Sequence, residues 1–334
     1  MSDRTGDGMS NREGDGMSDD MSDGMREGMN GGCNVGCNVG CNVGINGGKP
    51  DRTSDRNADH RPGRTTGPLV DLRLDRAHSS RIYDYFLGGK TNFLADRVAA
   101  ASVLSVFPSA LIAARINREF MHRTTRCLVK AGMRQFLDIG TGIPTPPNLH
   151  DIAQGIAPDA RIVYTDNDPI VLAHAAALLL STPEGRTAYV QSDVNNPEAI
   201  LAAPQLRDTL DLRKPVALSL NALMHFVTDD GRDRAHTIVD TLKSALPSGS
   251  TLAMTHATPD FSPDTMQKIV EIYRGAGTVL QFRSRGEFLR FFEGWELMEP
   301  GVALSHQWRP DRPEDATYVT DAEAGCYAAV ARKP

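Results

Sequence analysis

The fourteen residues from Gln135 to Asn148, QFLDIGTGIPTPPN, restrict the architecture of this chain more than any other stretch. Phe136, Leu137 and Ile139 form a short apolar run, Asp138, Gly140 and Gly142 close it, and a new periodic segment starts at Asn148. That order reads as a buried strand, a glycine turn and a helix. In an open α/β sheet such a turn lies at the carboxyl end of a strand, where ligands bind, and its glycines let the backbone approach a ligand closely. The stretch predicts a site for a nucleotide-like ligand without saying which one.

The same alternation continues downstream. Asn148 is placed to cap a helix with Asp151 three residues on, and Leu149, Ile152, Ala153, Ile156 and Ala157 follow at helical spacing. Ala160 to Thr165 reads as a second strand closed by Asp166, with Asp168 and Pro169 as the cap and first position of the next helix. Further strands are expected at Thr187–Gln191, Val216–Leu220 and Thr251–Thr255. Helices are expected over Gly231–Leu246, after Ser262-Pro263, and behind a capping box of Ser284 and Glu287. Two late strands follow, near Val302–Gln307 and Cys326–Ala331, with no evident helix between them. The pattern predicts an α/β protein with one doubly wound, seven-stranded sheet and an antiparallel edge.

Upstream, Asp71 to about Lys130 is helical in pattern, broken at Gly88-Gly89 and at Pro108. RIYDYFLGGKTNF (81–93) reads as a helix, a Gly-Gly C-cap and a second helix entered near Thr91. Its Gly-Gly-Lys-Thr lacks the preceding strand and upstream glycine of a phosphate loop. Arg115, Arg118, Arg123, Arg126 and Lys130 read as a solvated basic face.

Residues 1–67 are of a different kind. They hold 15 of the 30 glycines, 6 of the 12 methionines and no aromatic residue, and they repeat GDGMS twice and CNVG three times. Such a segment cannot bury enough apolar surface to offset its ordering entropy, so a disordered low-complexity tail is expected, followed by one folded domain over 68–334 with a helical lid at 68–131 and the core at 132–334. Cys33, Cys37 and Cys41 lie in the repeat with no CxxC pair or neighbouring histidine to complete a zinc set, and Cys127 and Cys326 imply no disulfide framework. No apolar run approaches membrane-spanning length and no signal sequence opens the chain, so a soluble, cytoplasmic protein is expected. A net charge of −6 with interspersed signs argues against general nucleic-acid binding. No histidine pair or carboxylate cluster has metal spacing, and no metal is expected.

Two ligand classes compete for the glycine turn. A dinucleotide site wants G-x-G-x-x-G or A, whose third small residue lets the helix pack beneath a pyrophosphate. Here Thr145 takes that place, and Pro144, Pro146 and Pro147 fill the start of the helix, so a ribose-bearing ligand without a pyrophosphate fits better. Asp166 is placed to accept two hydrogen bonds from a ribose diol, although NAD sites use an acid there too. Asp193 is placed to accept from an adenine amine; the competing role of each acid is helix capping or turn chemistry.

LDIGTGIPT, VYTDNDPIVLAHA, the QSD turn after the third strand and the upstream RIYDYFLGGKTNF together resemble the actinobacterial S-adenosyl methyltransferase family, once listed as a domain of unknown function. The resemblance runs from about Val70 to Ala331. It implies a class I, Rossmann-like fold with strand order 3-2-1-4-5-7-6 and S-adenosylmethionine as the cofactor. By position it implies Asp138, Gly140 and Gly142 beside the methionine part, Asp166 at the ribose and Asp193 at the adenine, with Asn167 and Asn221 also among the cofactor-binding residues.

Methyl transfer from a sulfonium depends mainly on positioning, and a general base is needed only where the acceptor must lose a proton. His225, just after the fourth strand, is the best-placed candidate base, with His256 a weaker one. Tyr83, Tyr85 and Lys90 are candidates to close over the cofactor, Lys90 pairing with its carboxylate and a tyrosine ring lying against the sulfonium or adenine. The leading expectation is a methyltransferase acting on a small molecule. A non-catalytic S-adenosylmethionine-binding regulatory module and an NAD-dependent dehydrogenase are the alternatives.

Overall fold

The computed structural model describes residues 72–178 and 180–334; the expected tail, with Cys33, Cys37 and Cys41, lies outside the described residues. The ligand-bearing half is a sheet built by strand–helix alternation: β1 (Gln135–Ile139), α4 (Leu149–Ile156), β2 (Arg161–Asp166), α5 (Pro169–Leu178), β3 (Arg186–Gln191), then β4 (Ala217–Asn221), α8 (Arg234–Ser244) and β5 (Thr251–Ala257). Three helices precede it, α1 (Ser79–Phe86), α2 (Leu94–Val106) and α3 (Ala110–Lys130). Strands β1 to β5 are parallel because each helical crossover returns the chain to the end of the sheet where the preceding strand began, and the order is 3-2-1-4-5 because the crossover from β3 to β4 carries the chain back to the other side of β1. β1 is buried along its whole length. Adjacent residues of a strand face opposite sides, so Leu137 and Ile139 join the core that includes Val239 and Phe288, while Phe136 joins Phe120 and Leu149.

The far edge differs from the expected single strand. β8 (Cys326–Arg332) runs antiparallel to β5, and two two-residue strands, β6 (Glu296–Leu297) and β7 (Ala303–Leu304), pair with opposite ends of β8. Pro300 has no N–H to give a ladder, Gly301 takes a left-handed φ of +84°, and the amides of Gln307 and Trp308 turn back onto the carbonyl of Leu304. The strand expected to reach Gln307 therefore ends at Leu304. Between β7 and β8 lie a 3₁₀ turn at Pro313–Ala316 and the one-turn α11 (Asp321–Ala324). Two further short helices, α6 (Pro197–Ala202) and α7 (Pro204–Thr209), fill the crossover from β3 to β4, each opened by a proline at its first position. α9 (Pro263–Gly275) and α10 (Arg285–Arg290) form where Ser262-Pro263 and the Ser284/Glu287 capping box predict them.

α1 ends as its Gly-Gly pair requires. Gly88 adopts φ +78°, its N–H donates to Tyr85, and the N–H of Gly89 donates to the carbonyl of Asp84 at 2.8 Å. A Cβ on Gly89 would stand 2.0 Å from Asp84 Oδ1, so only glycine leaves room for that carboxylate to accept from Asn92 at 2.8 Å. The next helix starts at Leu94 and not near Thr91. Asn92 is folded back onto Asp84, and Asp96 accepts the N–H of Phe93 at 2.8 Å, which places the N-terminal cap at Phe93. Fully buried Arg81 ties α1 to Asp168 at 3.1 Å and to Asp96 at 3.7 Å. Among the described residues no single helix is long and apolar enough to cross a membrane.

Candidate functional site

Parallel neighbours finish at the same edge of a sheet, and here the ends carry polar side chains. Asp138 on β1, Asp166 ending β2, Asp193 just past β3 and Asn221 ending β4 all line one cavity of about 300 Å³. Gly140, Gly142, Asn167, Tyr83 and His225 line it as well. Tyr85 and Lys90 do not. Tyr85 packs into the apolar cluster between α1, α2 and α9, and Lys90 is exposed beyond the Gly-Gly cap, because the sharp turn at Gly88 carries the chain away from the strand ends.

The glycine turn folds onto the end of β2. The N–H groups of Gly140 and Thr141 donate to the carbonyl of Thr165 at 2.7 and 3.2 Å. Gly140 has φ +74°, and a Cβ there would lie 2.6 Å from Leu223 Cδ1; Gly142 has φ +71° and donates its N–H to Asp166 at 2.9 Å. The other oxygen of Asp166 accepts the N–H of Asp168 at 2.9 Å. A carboxylate has about four acceptor positions, so two remain for a ligand.

Burial raises the pKa of Asp166, against the hydrogen bonds from Asp168 and Gly142 that oppose it. Burial likewise raises that of Asp138, opposed by the hydroxyls of Ser219 and Thr141 and the charge of Arg118. Two buried acids of this kind favour a ligand that brings hydrogen-bond donors or positive charge. Asp193 is half-exposed. Its burial pushes the pKa up, but hydrogen bonds from Asn195 and Asn167 outweigh that and hold it below the ordinary value. Asn221 donates to Ser219 at 2.9 Å, while its Oδ1 is buried with no partner among the described residues.

α3 delivers residues that the periodicity does not reveal as functional. Its basic positions are not one solvated face. Arg115 and Lys130 are exposed and Arg126 pairs with Asp311, but Arg123 is buried against the carbonyls of Ser305 and Trp308, and Arg118 lines the cavity. Arg118 donates to the carbonyls of Thr145 and Pro147, beside the prolines that precede α4. Burial lowers its pKa, and Tyr83 and Asp138 nearby counteract that. Asn117, one position earlier, donates to the hydroxyl of Tyr83 at 2.8 Å and accepts from Thr255 at 2.6 Å, and Thr255 in turn accepts the N–H of Ala222 at 2.8 Å. This chain joins α1, α3, β5 and the end of β4. Burial pushes Tyr83 up to about 12, with Asn117 and Arg118 opposing it.

α4 is capped by Asn148, whose N–H donates to Asp151 at 2.7 Å and whose Oδ1 accepts from Thr145 at 3.0 Å. The helix N-terminus thus carries its own carboxylate, which disfavours a pyrophosphate there. His225 lies in a 3₁₀ turn, Met224–Phe226, that follows the left-handed Ala222 (φ +50°). Its Nδ1 is buried without a partner, and burial together with the Arg283 charge pushes its pKa down to about 3. The imidazole is therefore neutral across the physiological range. His256 is fully buried behind it, with ring centroids 5.5 Å apart and its Nε2 3.0 Å from Arg283; it is absent from the cavity wall.

The fold also gathers a set that the linear spacing does not show. Ligand atoms of Asp229, Asp233 and His236 lie within 4.8 Å of one another. Arg283 pairs with Asp229 at 2.6 Å and Arg290 with Asp233 at 3.0 Å, so a dication there would have to displace guanidinium partners.

A family profile described as S-adenosyl methyltransferase matches residues 67–334. A DUF574 family protein from Streptomyces avermitilis is 48% identical, with a TM-score of 0.76 over 79% of this chain and 100% of that one. A Thermobifida fusca protein named as a candidate methyltransferase is 38% identical, with a TM-score of 0.72 over 78% of this chain and 97% of that one. No curated protein matches the sequence.

Proposed function

This chain belongs to the S-adenosyl methyltransferase family, and from that premise we propose that its cavity binds S-adenosylmethionine and passes the methyl group to a small-molecule acceptor. The observation that carries the reading is the convergence of Asp138, Asp166, Asp193 and Asn221, from four adjacent strand ends, on one cavity. The residues fit the group. Asp166 keeps two acceptor positions for a ribose diol, Asp193 and Asn167 stand where an adenine amine is recognised, and Asp138 with the unpartnered Oδ1 of Asn221 receives an α-ammonium. Arg118 is the cation on the same wall, and it takes the methionine carboxylate in place of the exposed Lys90. Gly140 carries no side chain because one would strike Leu223, and its left-handed backbone lines the cavity beside the methionine part.

When bound, S-adenosylmethionine supplies an electrophilic methyl group on a sulfonium that already contains its leaving group. The chain contributes orientation and exclusion of water. Tyr83 and Ser80 on α1 contribute to the cavity wall, and Arg81 and Ser80 pin that helix to Asp168, next to the ribose acid. Holding two reactants in register this way removes most of the entropic part of the barrier. His225 accepts the acceptor's proton where one is lost. Calorimetry of the purified protein with S-adenosylhomocysteine tests the reading: one site per chain is expected, and no binding, or tighter binding of NADH, refutes it.

A further inference from the structure

The cofactor residues account for only part of the cavity wall. The same cavity is lined by Phe107, Phe226, Met266, Ile269, Leu280 and Phe282, which belong to the apolar cluster of α1, α2 and α9. The charged lining residues, Arg118, Asp138, Asp166 and Asp193, come from α3 and the ends of β1, β2 and β3; α2, α9 and the segment ahead of α10 add none. Tyr83 of the same cluster is taken up by Asn117 and the carbonyl of Ala114, which leaves His225 and Tyr273 as the polar side chains on this apolar wall. The ring of Phe226 lies between them, 4.4 Å from His225 and 5.9 Å from Tyr273. Among the described residues neither side chain has a hydrogen-bond partner, although both are more than nine-tenths buried.

An ion placed against such a wall loses its hydration and gains no counter-charge, so it is rejected. A hydroxyl is different, because its one donor meets a neutral imidazole that has no other partner. The chemistry of the proton points the same way. An imidazole held at about 3 cannot take the proton of a methylated amine, but it readily takes that of an oxygen made strongly acidic by methylation. Resting on the cofactor reading above, we infer that the acceptor is a neutral, largely apolar molecule bearing a hydroxyl, seated against this wall with its O–H donated to His225, and that the transfer is an O-methylation. The acceptor oxygen forms a bond to the methyl carbon as the methyl–sulfur bond breaks, the bonding pair stays on sulfur, and the hydroxyl proton passes to His225 and then to water. The positive charge of the sulfonium is thereby replaced by that of the imidazolium until the proton departs.

The test is a binding measurement without turnover. The full chain is saturated with S-adenosylhomocysteine, confirmed by calorimetry, and titrated with 2-naphthol, 2-naphthoate, 2-naphthylmethylammonium and naphthalene at neutral pH, followed by their fluorescence. 2-Naphthol is expected to bind at least about tenfold more tightly than either ion. His225→Leu is expected to weaken 2-naphthol by roughly three- to tenfold and leave naphthalene unchanged, with His225→Gln restoring part of the loss because it keeps an acceptor. S-Adenosylhomocysteine binding by each variant shows that it is folded. Ions binding as well as 2-naphthol, no probe binding, or equal losses of naphthalene and 2-naphthol in His225→Leu would overturn the inference and leave the cofactor reading standing. Failure of the parent chain to bind S-adenosylhomocysteine overturns both.

Discussion

Replacing Asn117 with Leu cuts the hydrogen-bonded chain that runs from α1 to the end of β4 at its middle. Asn117 is 6% exposed and lines the cavity, but Thr255 is fully buried and off the cavity wall, so water does not reach the Thr255 hydroxyl. Thr255 keeps the N–H of Ala222 on its oxygen at 2.8 Å but loses the acceptor for its own proton, and a buried orphan donor costs about 1–3 kcal/mol. Tyr83 loses one incoming bond while still donating to the carbonyl of Ala114 at 2.9 Å, which adds about 1 kcal/mol. Leu keeps the branched shape of Asn but is bulkier, so no cavity is left, and the lost bonds alone set the expected loss at about 2–4 kcal/mol. Thr255→Val is expected to cost a similar amount, because it strands both Ala222 N–H and Asn117 Oδ1. In the double variant neither partner of the Asn117–Thr255 bond is left waiting for the other. Its loss should be about 1–2 kcal/mol less than the sum of the two. Urea unfolding followed by far-ultraviolet circular dichroism measures all three differences, provided the dependence on urea has an unchanged slope. Additivity within about 0.5 kcal/mol, or a loss below that in Asn117→Leu, would show that the chain of bonds is not a coupled unit.

Three other outcomes follow from the geometry. Asp166→Ala removes two charge-assisted contacts to the ribose and is expected to weaken S-adenosylhomocysteine by roughly tenfold to a thousandfold in calorimetry; unchanged affinity would refute the ribose assignment. Lys90→Ala should leave that affinity within about twofold, whereas Arg118→Ala should weaken it by about tenfold or more, and the reverse order would return the carboxylate to Lys90. The folded-state pKa of His225 lies at about 3 and that of His122 at about 4, both below the ordinary value of 6.5, and burial is the main cause for each. Between those limits the unfolded chain binds protons that the folded chain does not. Stability is therefore complete above about pH 6.5 and falls as the pH drops, by about 1.4 kcal/mol per pH unit for His225 alone. Thermal melts from pH 7 to pH 4 check this, and a melting temperature that holds or rises on acidification contradicts it.

Local rules made the order of elements readable before any coordinates. The capping pairs Asn148/Asp151 and Ser284/Glu287, Pro169 and Pro263 at helix starts, and the Gly88-Gly89 stop all act within a few residues, and their elements form where those residues stand. The same reach explains why Asp138, Asp166, Asp193 and Asn221 could be assigned to one site: a parallel sheet brings its strand ends to one edge whatever the loops do. The breaks in this reading lie where distance along the chain stops predicting distance in space. The strand expected at Val302–Gln307 is cut down to Ala303–Leu304 because its register is set by β8, some twenty residues later, and by a turn onto Leu304. Lys90 looks poised over the cofactor in a linear view, yet a single left-handed glycine turns it outward.

Arg118, by contrast, has the periodicity of a surface residue, yet α3 packs against α1 and α4 and the residue lines the cavity. Asn117 gains its role from partners on α1 and β5, 34 and 138 positions away. Composition and periodicity report how a residue partitions between water and protein, averaged over a helix face or a strand. Which charge meets which carbonyl, and which imidazole is left without a partner, is set by long-range packing of several elements, and that is where the acceptor end of this cavity takes its apolar wall and its neutral His225.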